Sequence, residues 1–562
     1  MSYSLLKNAL DLETAVSWLF PDSSDDFFPD PINWNDIRTF SAEYLERRQH
    51  RFLQVDTLPY WKEYVPKQSG MLREAVWLHP LHRILYLAIL QRLLPRLDSK
   101  IYPQVYSYRL DSPDDPKAYP FSNKMDRWKL FYNDFREAAL DKETGALLLT
   151  DLANFFDHIN CANVGRRLCN LLGSTADEAD EEVTSFLVHL LNMWGDDGFG
   201  LPHNLDASSF LGSLYLHPVD HSMISQRYRY FRWIDDIRVV AKNKEQALRA
   251  LHHLQRSLAE YRLFLATDKT YIIERSDPRF DNFLNVEEDI LISEAEEIIS
   301  SGDKTKIERT VDVLFERLQH HAGTDGDDRK FRAFANRLLG AGDYVEVEGN
   351  VHTRLNAFVI PRLKSHPEKS DYWTKVLSVN VEEDVVKAVE ELLVDRPSMF
   401  DWQRFHLWKL ALYIPKGRAT PKLLERAGSV ATSPLSDNVT SQAIVFLGKH
   451  GDNVERESIF VRLFTPQKGY VVQRAILIAI QELPKDTRNH FYARALQVSG
   501  EHKELVDYLA NRDAADYGMR TRAKRHCLEV PRVPQRIISR GVGLARGRVT
   551  RFRLTRHDYD YE

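Results

Sequence analysis

The sequence LLLTDLANFFD, residues 147–157, decides the fold of the first half of the chain. Its four leading residues are apolar or β-branched, which is typical of a short buried β-strand, and Asp151 follows them directly. A second segment, RYFRWIDDIRVV at residues 229–240, has β-prone residues on both sides of Asp235 and Asp236. This pattern predicts two strands joined by a tight turn. The two segments together can bring three carboxylates to the ends of neighbouring strands.

Carboxylates clustered at strand ends suit a hard divalent cation such as Mg²⁺ or Mn²⁺. These ions prefer oxygen ligands and take few carboxylates from the protein, because phosphate groups and water complete their coordination. Two such ions about 4 Å apart can activate a hydroxyl group and stabilise a leaving pyrophosphate. Each acid alone is ordinary, since an Asp-Asp pair is usually a solvated turn and Asp151 could simply cap the following helix. The order and spacing of all three favour a metal-dependent reaction with nucleotides.

Further segments lie between and after the acidic ones. GLPHNLDAS, residues 200–208, precedes an apolar run from Leu211 to Leu216. Residues Lys244 to Leu263 place apolar side chains on one helical face and predict an amphipathic helix. Lys269 comes soon after this helix.

The order of these segments resembles the palm of reverse transcriptases, and the likeness covers roughly residues 60–273. The resemblance implies that Asp151, Asp235 and Asp236 are the catalytic acids. It also implies that a divalent metal binds at Asp151, Leu152 and Asp235, with the second aspartate of the pair in a supporting role. The expected metal is Mg²⁺, or Mn²⁺ in its place.

The same resemblance implies a nucleotide site beside the acids. Phe156 lies where the family places an aromatic gate, whose ring would clash with a ribose 2′-hydroxyl and so favour deoxynucleoside triphosphates. The expected product is therefore DNA. Other family positions that contact the nucleotide correspond here to Lys67, Arg73, Pro202, Ser208 and Lys269.

Two positions depart from the family pattern. Trp233 stands before the aspartate pair where the family usually has Tyr, and Asn204 stands in the second motif where Gly is usual. Asn adopts a left-handed backbone more readily than most residues, so the turn at Asn204 is expected to survive. Both positions lie near the template and primer in the family, so they bear on templated copying and not on the metals.

The second half of the chain has a helical pattern. After about Leu291, strand signals give way to helical segments separated by Gly, Pro and Asp. Residues Gln442–Leu447 resemble Arg474–Ala479 at an offset of 32, near the period of stacked helical-pair repeats, although an irregular helical bundle is the alternative. We predict an α+β fold, with reverse transcriptase-like right-hand fingers and palm followed by an all-α, HEAT-like helical-repeat region. The predicted parts are a helical N-terminal extension (1–59), fingers and palm (60–284), a helical thumb-like region (285–375), an α-helical repeat domain (376–515) and a basic C-terminal tail (516–562).

A palm joined to a long helical region, with no integrase-, RNase H- or maturase-like motif, looks like the bacterial abortive-infection and defence-associated reverse transcriptases. That resemblance implies antiphage defence, DNA synthesis that can be protein-primed and untemplated, and assembly into homo-oligomers. The implied partners are deoxynucleoside triphosphates, a DNA product, and an RNA template or non-coding RNA. Two alternatives stay open at this point: a helical-repeat scaffold that binds RNA or protein and has a degenerate palm, and a retron- or intron-like enzyme that copies a dedicated RNA.

Charge is unevenly distributed along the chain. The 562 residues carry a formal net charge of -5, which excludes a globally basic nucleic-acid binder. Residues 520–556, however, hold twelve Lys and Arg against the single acid Glu529, a net charge of +11 that leaves -16 elsewhere. Such a Gly- and Arg-rich segment is either a solubilising tail or an arm that binds nucleic-acid phosphates. The predicted nucleic-acid-binding residues in it are Arg546, Arg548, Arg551 and Arg553.

The remaining composition bears on location. Three cysteines are too few for a disulfide framework. The first twenty residues lack the basic and apolar regions of a signal peptide. No apolar run approaches the roughly 18 residues of a membrane-spanning helix. We therefore expect a cytoplasmic protein with no membrane segment.

Overall fold

The computed structural model is mostly helical and contains two small antiparallel sheets, in agreement with an α+β fold. Both sheets lie in the first half of the chain, and the second half is helical. The predicted basic segment, with Arg546, Arg548, Arg551 and Arg553, lies outside the residues that the structure describes. The described residues are 3–49, 51, 54–111, 117–284, 286–322, 328–344, 351–433 and 435–519.

Four short helices and a β-hairpin begin the chain. The hairpin strands pair in antiparallel register, with Tyr60 opposite Leu78 and Pro66 opposite Leu72. The helices fall within the predicted N-terminal extension, whose boundary at residue 59 stays a prediction. The bounds are α1 Tyr3–Ala9, α2 Leu12–Asp22, α3 Asn35–Thr39, α4 Ser41–Arg48, β1 Tyr60–Pro66 and β2 Leu72–Leu78.

The next part contains the larger sheet, whose four antiparallel strands lie in the order β4-β5-β3-β6. The strands predicted at Leu147 to Thr150 and on both sides of Asp235 and Asp236 are all present. The bounds are α5 Pro80–Asp98, α6 Lys124–Ala139, β3 Ala146–Thr150, α7 Cys161–Leu172, α8 Glu178–Trp194, α9 Asp206–Tyr215, α10 His217–Ser225, β4 Arg229–Trp233, β5 Asp236–Ala241, α11 Lys244–Ala259 and β6 Tyr271–Glu274.

The two faces of this sheet pack against different helices, because successive side chains of a strand point to opposite sides. Leu147 belongs to a core cluster with Phe135 of α6, and we call this side the α6 face. Leu148 belongs to the main core with Leu254 of α11, and we call this side the α11 face. Leu149 packs against the same cluster as Leu147, so the odd-numbered residues of β3 lie on the α6 face.

Helix α11 ends at Ala259, four residues before the predicted end at Leu263. The reason is a Schellman turn, in which the N–H of Leu263 donates to the carbonyl of Leu258 and that of Arg262 to Ala259. Arg262 takes a left-handed conformation with φ 56° at the position where Gly is commonest. The turn sends the chain back as an extended segment towards the end of β3.

From residue 279 onwards, all regular secondary structure in the described part of the chain is helical. A π-helical turn at Glu391–Asp395 directly follows α18. The bounds are α12 Arg279–Leu284, α13 Val286–Ser301, α14 Lys304–Ala322, α15 Asp328–Ala341, α16 Val351–Ser365, α17 Ser370–Leu377, α18 Glu383–Glu390, α19 Asp401–Ala411, α20 Pro421–Thr432, α21 Asp437–His450, α22 Asn453–Leu463, α23 Tyr470–Ala479, α24 Lys485–Val498 and α25 Lys503–Ala510.

Alternate helices of the C-terminal region stack on one another in a row, α17 on α19, α19 on α21, α21 on α23 and α23 on α25. The two similar segments found in the sequence lie in the adjacent helices α21 and α23. These helices come very close, because a Cβ atom added at Gly448 would lie only 2.3 Å from the Cα of Ala479. Stacking of this kind is compatible with helical repeats, and the HEAT-like assignment stays a prediction.

The C-terminal helices pack back onto the start of the chain. Glu63 of β1 is buried and accepts hydrogen bonds from Ser436 Oγ at 2.7 Å and Asn438 Nδ2 at 2.9 Å. Arg474 of α23 forms ion pairs with Asp30 at 2.9 Å and Asp36 at 2.8 Å, and all three side chains are buried. The N-terminal segment and the hairpin are therefore fastened to the helical array by buried polar contacts.

Two further sequence expectations concern membrane-spanning helices and disulfide bonds. Within the described ranges, no helix has both the length and the apolar character needed to cross a membrane. Cys161 and Cys169 are free thiols, the first buried and the second exposed.

Candidate active site

Asp151 lies at the end of β3 and forms an ion pair with Lys269. The Lys269 ammonium donates to Asp151 Oδ2 at 2.5 Å, and it extends from the turn Thr267–Lys269 just before β6. The two neighbouring residues, Thr150 and Thr270, share a hydrogen bond of 2.7 Å between their hydroxyls. The other carboxylate oxygen of Asp151, Oδ1, is buried and has no hydrogen-bond partner in the described part of the chain. Asp151 thus has one oxygen in an ion pair and one that is buried without a hydrogen-bond partner among the described residues.

Asp235 occupies the two-residue turn of the hairpin formed by β4 and β5. Trp233 pairs with Asp236 across the hairpin, so Ile234 and Asp235 form the turn. Ile234 has a positive φ of 49°, a conformation that β-branched residues seldom adopt. A strained backbone of this kind persists only where its surroundings hold it, and it is commonest at functional sites.

Two buried side chains hold the turn. The Arg232 guanidinium donates to the carbonyl of Ile234 at 2.8 Å and to both carboxylate oxygens of Asp220 at 2.7 and 2.6 Å. It also donates to the carbonyl of Ser213 in α9 at 3.1 Å. From the other side, the N–H of Ile234 donates to Ser107 Oγ at 3.1 Å. Both polar groups of the strained residue are therefore bonded, and the position of Asp235 depends on Arg232 and Ser107.

Replacing Ser107 by Ala should weaken this turn. The buried N–H of Ile234 would lose its acceptor, which costs about 1–3 kcal/mol of the free energy of unfolding. Chemical denaturation measures the loss. Ser213→Ala is the matched control, because Ser213 Oγ is equally buried and has no hydrogen-bond partner within the described residues. Equal losses for the two variants would show that the hydroxyl of Ser107 does not support the turn.

The electrostatics of the site separate Asp235 in the turn from Asp236 at the start of β5. Burial and the negative charge of Asp151 raise the pKa of Asp235 to about 8. Burial also raises the pKa of Asp151, although the charge of Lys269 opposes the shift. Asp236 instead forms an ion pair of 2.8 Å with Arg238, whose guanidinium lies 4.7 Å from the ring centre of Phe131. Asp151 is thus paired with Lys269 and Asp236 with Arg238, whereas Asp235 has no ion-pair partner among the described residues.

This pair of acids fits a divalent cation that is held partly by a ligand. Among the described residues, no group of three or more His, Cys, Asp or Glu side chains is arranged to hold a metal. Mg²⁺, however, commonly uses one or two carboxylates and takes its other oxygens from phosphates and water. The unpartnered Oδ1 of Asp151 and the raised pKa of Asp235 both indicate negative charge that a cation would stabilise. Leu152, the third predicted metal-binding residue, is buried next to them.

Phe156 is half-buried beside the second motif. Its ring centre lies 5.3 Å from that of His203, and its carbonyl accepts a hydrogen bond from the N–H of Leu201. A Cβ atom at Gly212 would lie 3.0 Å from the Phe155 ring and 3.4 Å from the Phe156 ring, so this Gly lets α9 pack closely against the first ring and in contact with the second. Asn204 has φ 61°, which agrees with the left-handed backbone expected there. The structure therefore brings Phe156 and the second motif together.

The two second-motif residues predicted to contact a nucleotide lie inside the protein. Ser208 is fully buried, and its hydroxyl lies 3.0 Å from that of Tyr86 in α5. Pro202 is also buried. Ser208 thus fastens α9 to α5, and a direct contact of Ser208 with a nucleotide stays a prediction.

The hairpin of β1 and β2 brings the basic residue Lys67 to the site. Lys67, in the loop between β1 and β2, donates to Asn154 Oδ1 at 2.9 Å, three residues after Asp151. Arg73, on β2, lies with its guanidinium 6.0 Å from the ring centre of Phe27. The structure thus brings Lys67 to the segment that follows Asp151, and it places Arg73 beside the N-terminal segment.

Sequence reasoning missed the residues that position Asp235. Arg232 and its partner Asp220 are fully buried, and neither was singled out as part of the site. A signal was present, because Arg232 interrupts a run of aromatic and β-branched residues at a position that must face the interior. Charged residues are almost never fully buried unless paired, so this arginine predicts a buried acid somewhere in the chain.

Comparisons with known proteins give little further information. No protein-family model and no curated protein matches the chain. Among solved structures, the chain is similar to telomerase from Candida albicans in complex with a TWJ fragment of telomeric RNA, at a TM-score of 0.30 and 9% sequence identity. The similarity covers 62% of this chain and 69% of that chain. The TM-score and the sequence identity are both low, so a function has to be inferred from the geometry of the site.

Proposed function

We propose that the protein is a reverse transcriptase-like DNA polymerase that joins deoxynucleotides with the help of divalent metal ions. The observation that carries this proposal is the pair of acids Asp151 and Asp235 at the end of an antiparallel sheet, where burial raises the pKa of both. One follows a central strand, the other lies in a strained hairpin turn, and a lysine stands beside them. This is the arrangement that the resemblance to the palm leads us to expect.

The mechanism assigns a task to each side chain. Asp151 and Asp235, together with Leu152, would hold Mg²⁺ or Mn²⁺, which when bound favours ionisation of the attacking hydroxyl and neutralises charge on the leaving pyrophosphate. Lys269 is exposed and can turn from Asp151 to the phosphates of an incoming nucleotide. Asp236 supports the turn through Arg238. Lys67, Arg73, Pro202 and Ser208 stay proposed nucleotide-binding residues.

The experiment is a polymerisation assay with the full chain. The protein is incubated with labelled deoxynucleoside triphosphates and Mg²⁺ or Mn²⁺, with and without RNA or DNA templates. Growth of a labelled polymer supports the proposal. The absence of any product under all of these conditions would reject it. Sequencing of nucleic acid that copurifies with the protein would separate untemplated synthesis from the copying of a dedicated RNA.

Phe156→Ala should relax the choice of sugar. The half-buried ring would no longer fill the space that a 2′-hydroxyl needs, so we expect the preference for deoxynucleotides over ribonucleotides to fall about 10- to 100-fold. The ratio of kcat/KM for the two kinds of nucleotide measures it. His203→Ala is the matched control, because it removes the ring that packs on Phe156 and leaves the gate in place. An unchanged ratio in Phe156→Ala would remove the gate role.

The finer parts of the proposal come from the resemblance to bacterial defence-associated reverse transcriptases. These parts are antiphage defence, priming by the protein, and assembly into homo-oligomers. A plaque assay compares cells that carry the wild type with cells that carry Asp151→Ala. Protection by the wild type alone supports a defence role that depends on polymerisation, whereas protection by neither would reject it.

The basic segment 520–556 is proposed to guide nucleic acid to the acids.

A further inference from the structure

Two large aromatic side chains are exposed close to Asp151. Phe264 is 60% exposed and Tyr271 is 42% exposed. Phe264 lies in the extended segment that follows α11, and Tyr271 begins β6. Neither has a task in the mechanism above. Single exposed apolar side chains are common on protein surfaces, so the case for a binding surface depends on where these two rings lie.

The pairing of strands places Phe264 on the same side as the Asp151 carboxylate. The N–H of Ala153 donates to the carbonyl of Phe264, and the N–H of Ala266 donates to that of Asp151, both at 2.8 Å. Leu152 bridges to Leu265 between them. Residues directly opposite in an antiparallel pair point to the same side, and side chains alternate along each strand. Phe264 therefore shares a face with Ala153 and Asp151, while Leu152 points into the core.

Tyr271 lies on that same face, on the other side of the acid. It pairs with Leu149 of β3, which packs on the α6 face of the sheet. Leu149, Asp151 and Ala153 are successive residues on one face, spaced about 7 Å apart along an extended chain. Tyr271 stands opposite the first of these and Phe264 opposite the last. The two rings thus flank Asp151 and Lys269 along the strand.

The surroundings keep the Phe264 ring uncovered. The residues next to it on this face, Ala153 and Ala266, have small side chains that cannot cover a ring. His158 is exposed and stands edge-on to Phe264, with 6.4 Å between ring centres. The left-handed residue Arg262 fixes the direction in which this segment leaves α11. The position of Phe264 is therefore set by the backbone on both sides.

We propose that Phe264 and Tyr271 form a stacking site for the bases of the single nucleic-acid strand whose reacting end lies at Asp151. This inference rests on the proposed polymerase function. Every base presents a flat π-face, so aromatic rings bind a strand without regard to its sequence. A strand held by stacking on both sides of the acids would keep its terminal hydroxyl near Asp151 after each addition. The same site would then retain the growing product.

The test measures how tightly the full chain binds a single-stranded oligodeoxythymidylate with a fluorescent 5′ label. Fluorescence anisotropy at a fixed salt concentration reports the binding. We expect Phe264→Ala to raise the dissociation constant roughly 5- to 100-fold. Tyr271→Ala should also raise it. Phe264→Trp, which keeps a π-face, should restore binding. Leu248→Ala is the matched control, because Leu248 is also an exposed apolar residue but lies on α11, behind the opposite face of the sheet. It should bind like the wild type.

The outcomes separate this inference from the polymerase proposal. Asp235→Ala should lose polymer synthesis and keep oligonucleotide binding. A wild-type protein that binds through Phe264 but makes no polymer would reject only the polymerase function. Wild-type affinity in Phe264→Ala, or no binding by the wild type, would overturn the stacking site. A change in oligomeric state in Phe264→Ala, measured by light scattering and without any change in oligonucleotide binding, would overturn it too, because the ring would then serve a protein contact.

Discussion

Nucleotide incorporation should fall about a thousandfold when Asp235 is replaced by Asn, because a cation at this site contributes several kcal/mol to stabilising the transition state. The substitution keeps the size of the side chain and prevents its ionisation. The hydrogen bonds of Ile234 to Arg232 and Ser107 do not involve the Asp235 side chain, so the strained turn should survive. Steady-state incorporation of labelled deoxynucleotides measures the effect.

The neighbouring acid supplies the comparison. Asp236 is already neutralised by Arg238, so Asp236→Asn should reduce incorporation much less than Asp235→Asn. Equal losses for the two variants would contradict the separation of roles that the structure indicates. Incorporation by Asp235→Asn at the wild-type rate would remove Asp235 from the mechanism altogether.

Loss of activity in Asp235→Asn should come with a gain in stability that depends on pH. Asp235 has a pKa of about 8 in the folded protein, whereas an aspartate in an unfolded chain ionises near pH 4. Between these values the unfolded chain releases a proton that the folded protein keeps, so the wild type loses free energy of unfolding as the pH rises. Asn cannot ionise, so the variant lacks this loss. Its advantage over the wild type should grow from about pH 4 and level off above about pH 8.

Local patterns predicted the strands and acids of the site because short-range physics decides them. The apolar run before Asp151 and the β-prone residues around the aspartate pair both favour β-strands, and they form strands of one sheet. The positive φ of Ile234 could not be predicted in this way, since Ile is among the residues least suited to it. That conformation exists because Ser107, which is 127 residues away in the sequence, bonds the turn.

Local patterns also leave the environment of a side chain open. Ser208 lies in a predicted nucleotide motif, and its hydroxyl lies beside that of Tyr86 in the core, while its contact with a nucleotide stays a prediction. Helix α11 has apolar periodicity up to Leu263, but a Schellman turn at Arg262 ends it earlier. Packing against α5 determines the environment of Ser208, and a local hydrogen-bond pattern determines the end of α11.

The second prediction concerns a contact between the N-terminal segment and helix α23. Arg474→Met should lower the free energy of unfolding by about 3–5 kcal/mol, since it leaves two buried carboxylates without their cation. The guanidinium now pairs with Asp30 and both oxygens of Asp36, and it lies 4.7 Å from the ring centre of Trp34. Denaturation of the purified variant measures the loss. Limited proteolysis should show earlier cleavage within residues 22–40.

Two further variants show whether the loss comes from unpaired charge. Arg462→Met removes an exposed arginine in the neighbouring helix α22 and should change stability by no more than about 0.5 kcal/mol. Adding Asp30→Asn and Asp36→Asn to Arg474→Met should recover part of the loss, because neutral amides cost less to bury than carboxylates. The recovery should be incomplete, since Asp30 Oδ1 also accepts the N–H groups of Ile32 and Trp34. If Arg474→Met is as stable as Arg462→Met, the helical array is fastened to the N-terminal segment by its apolar contacts and not by this ion pair.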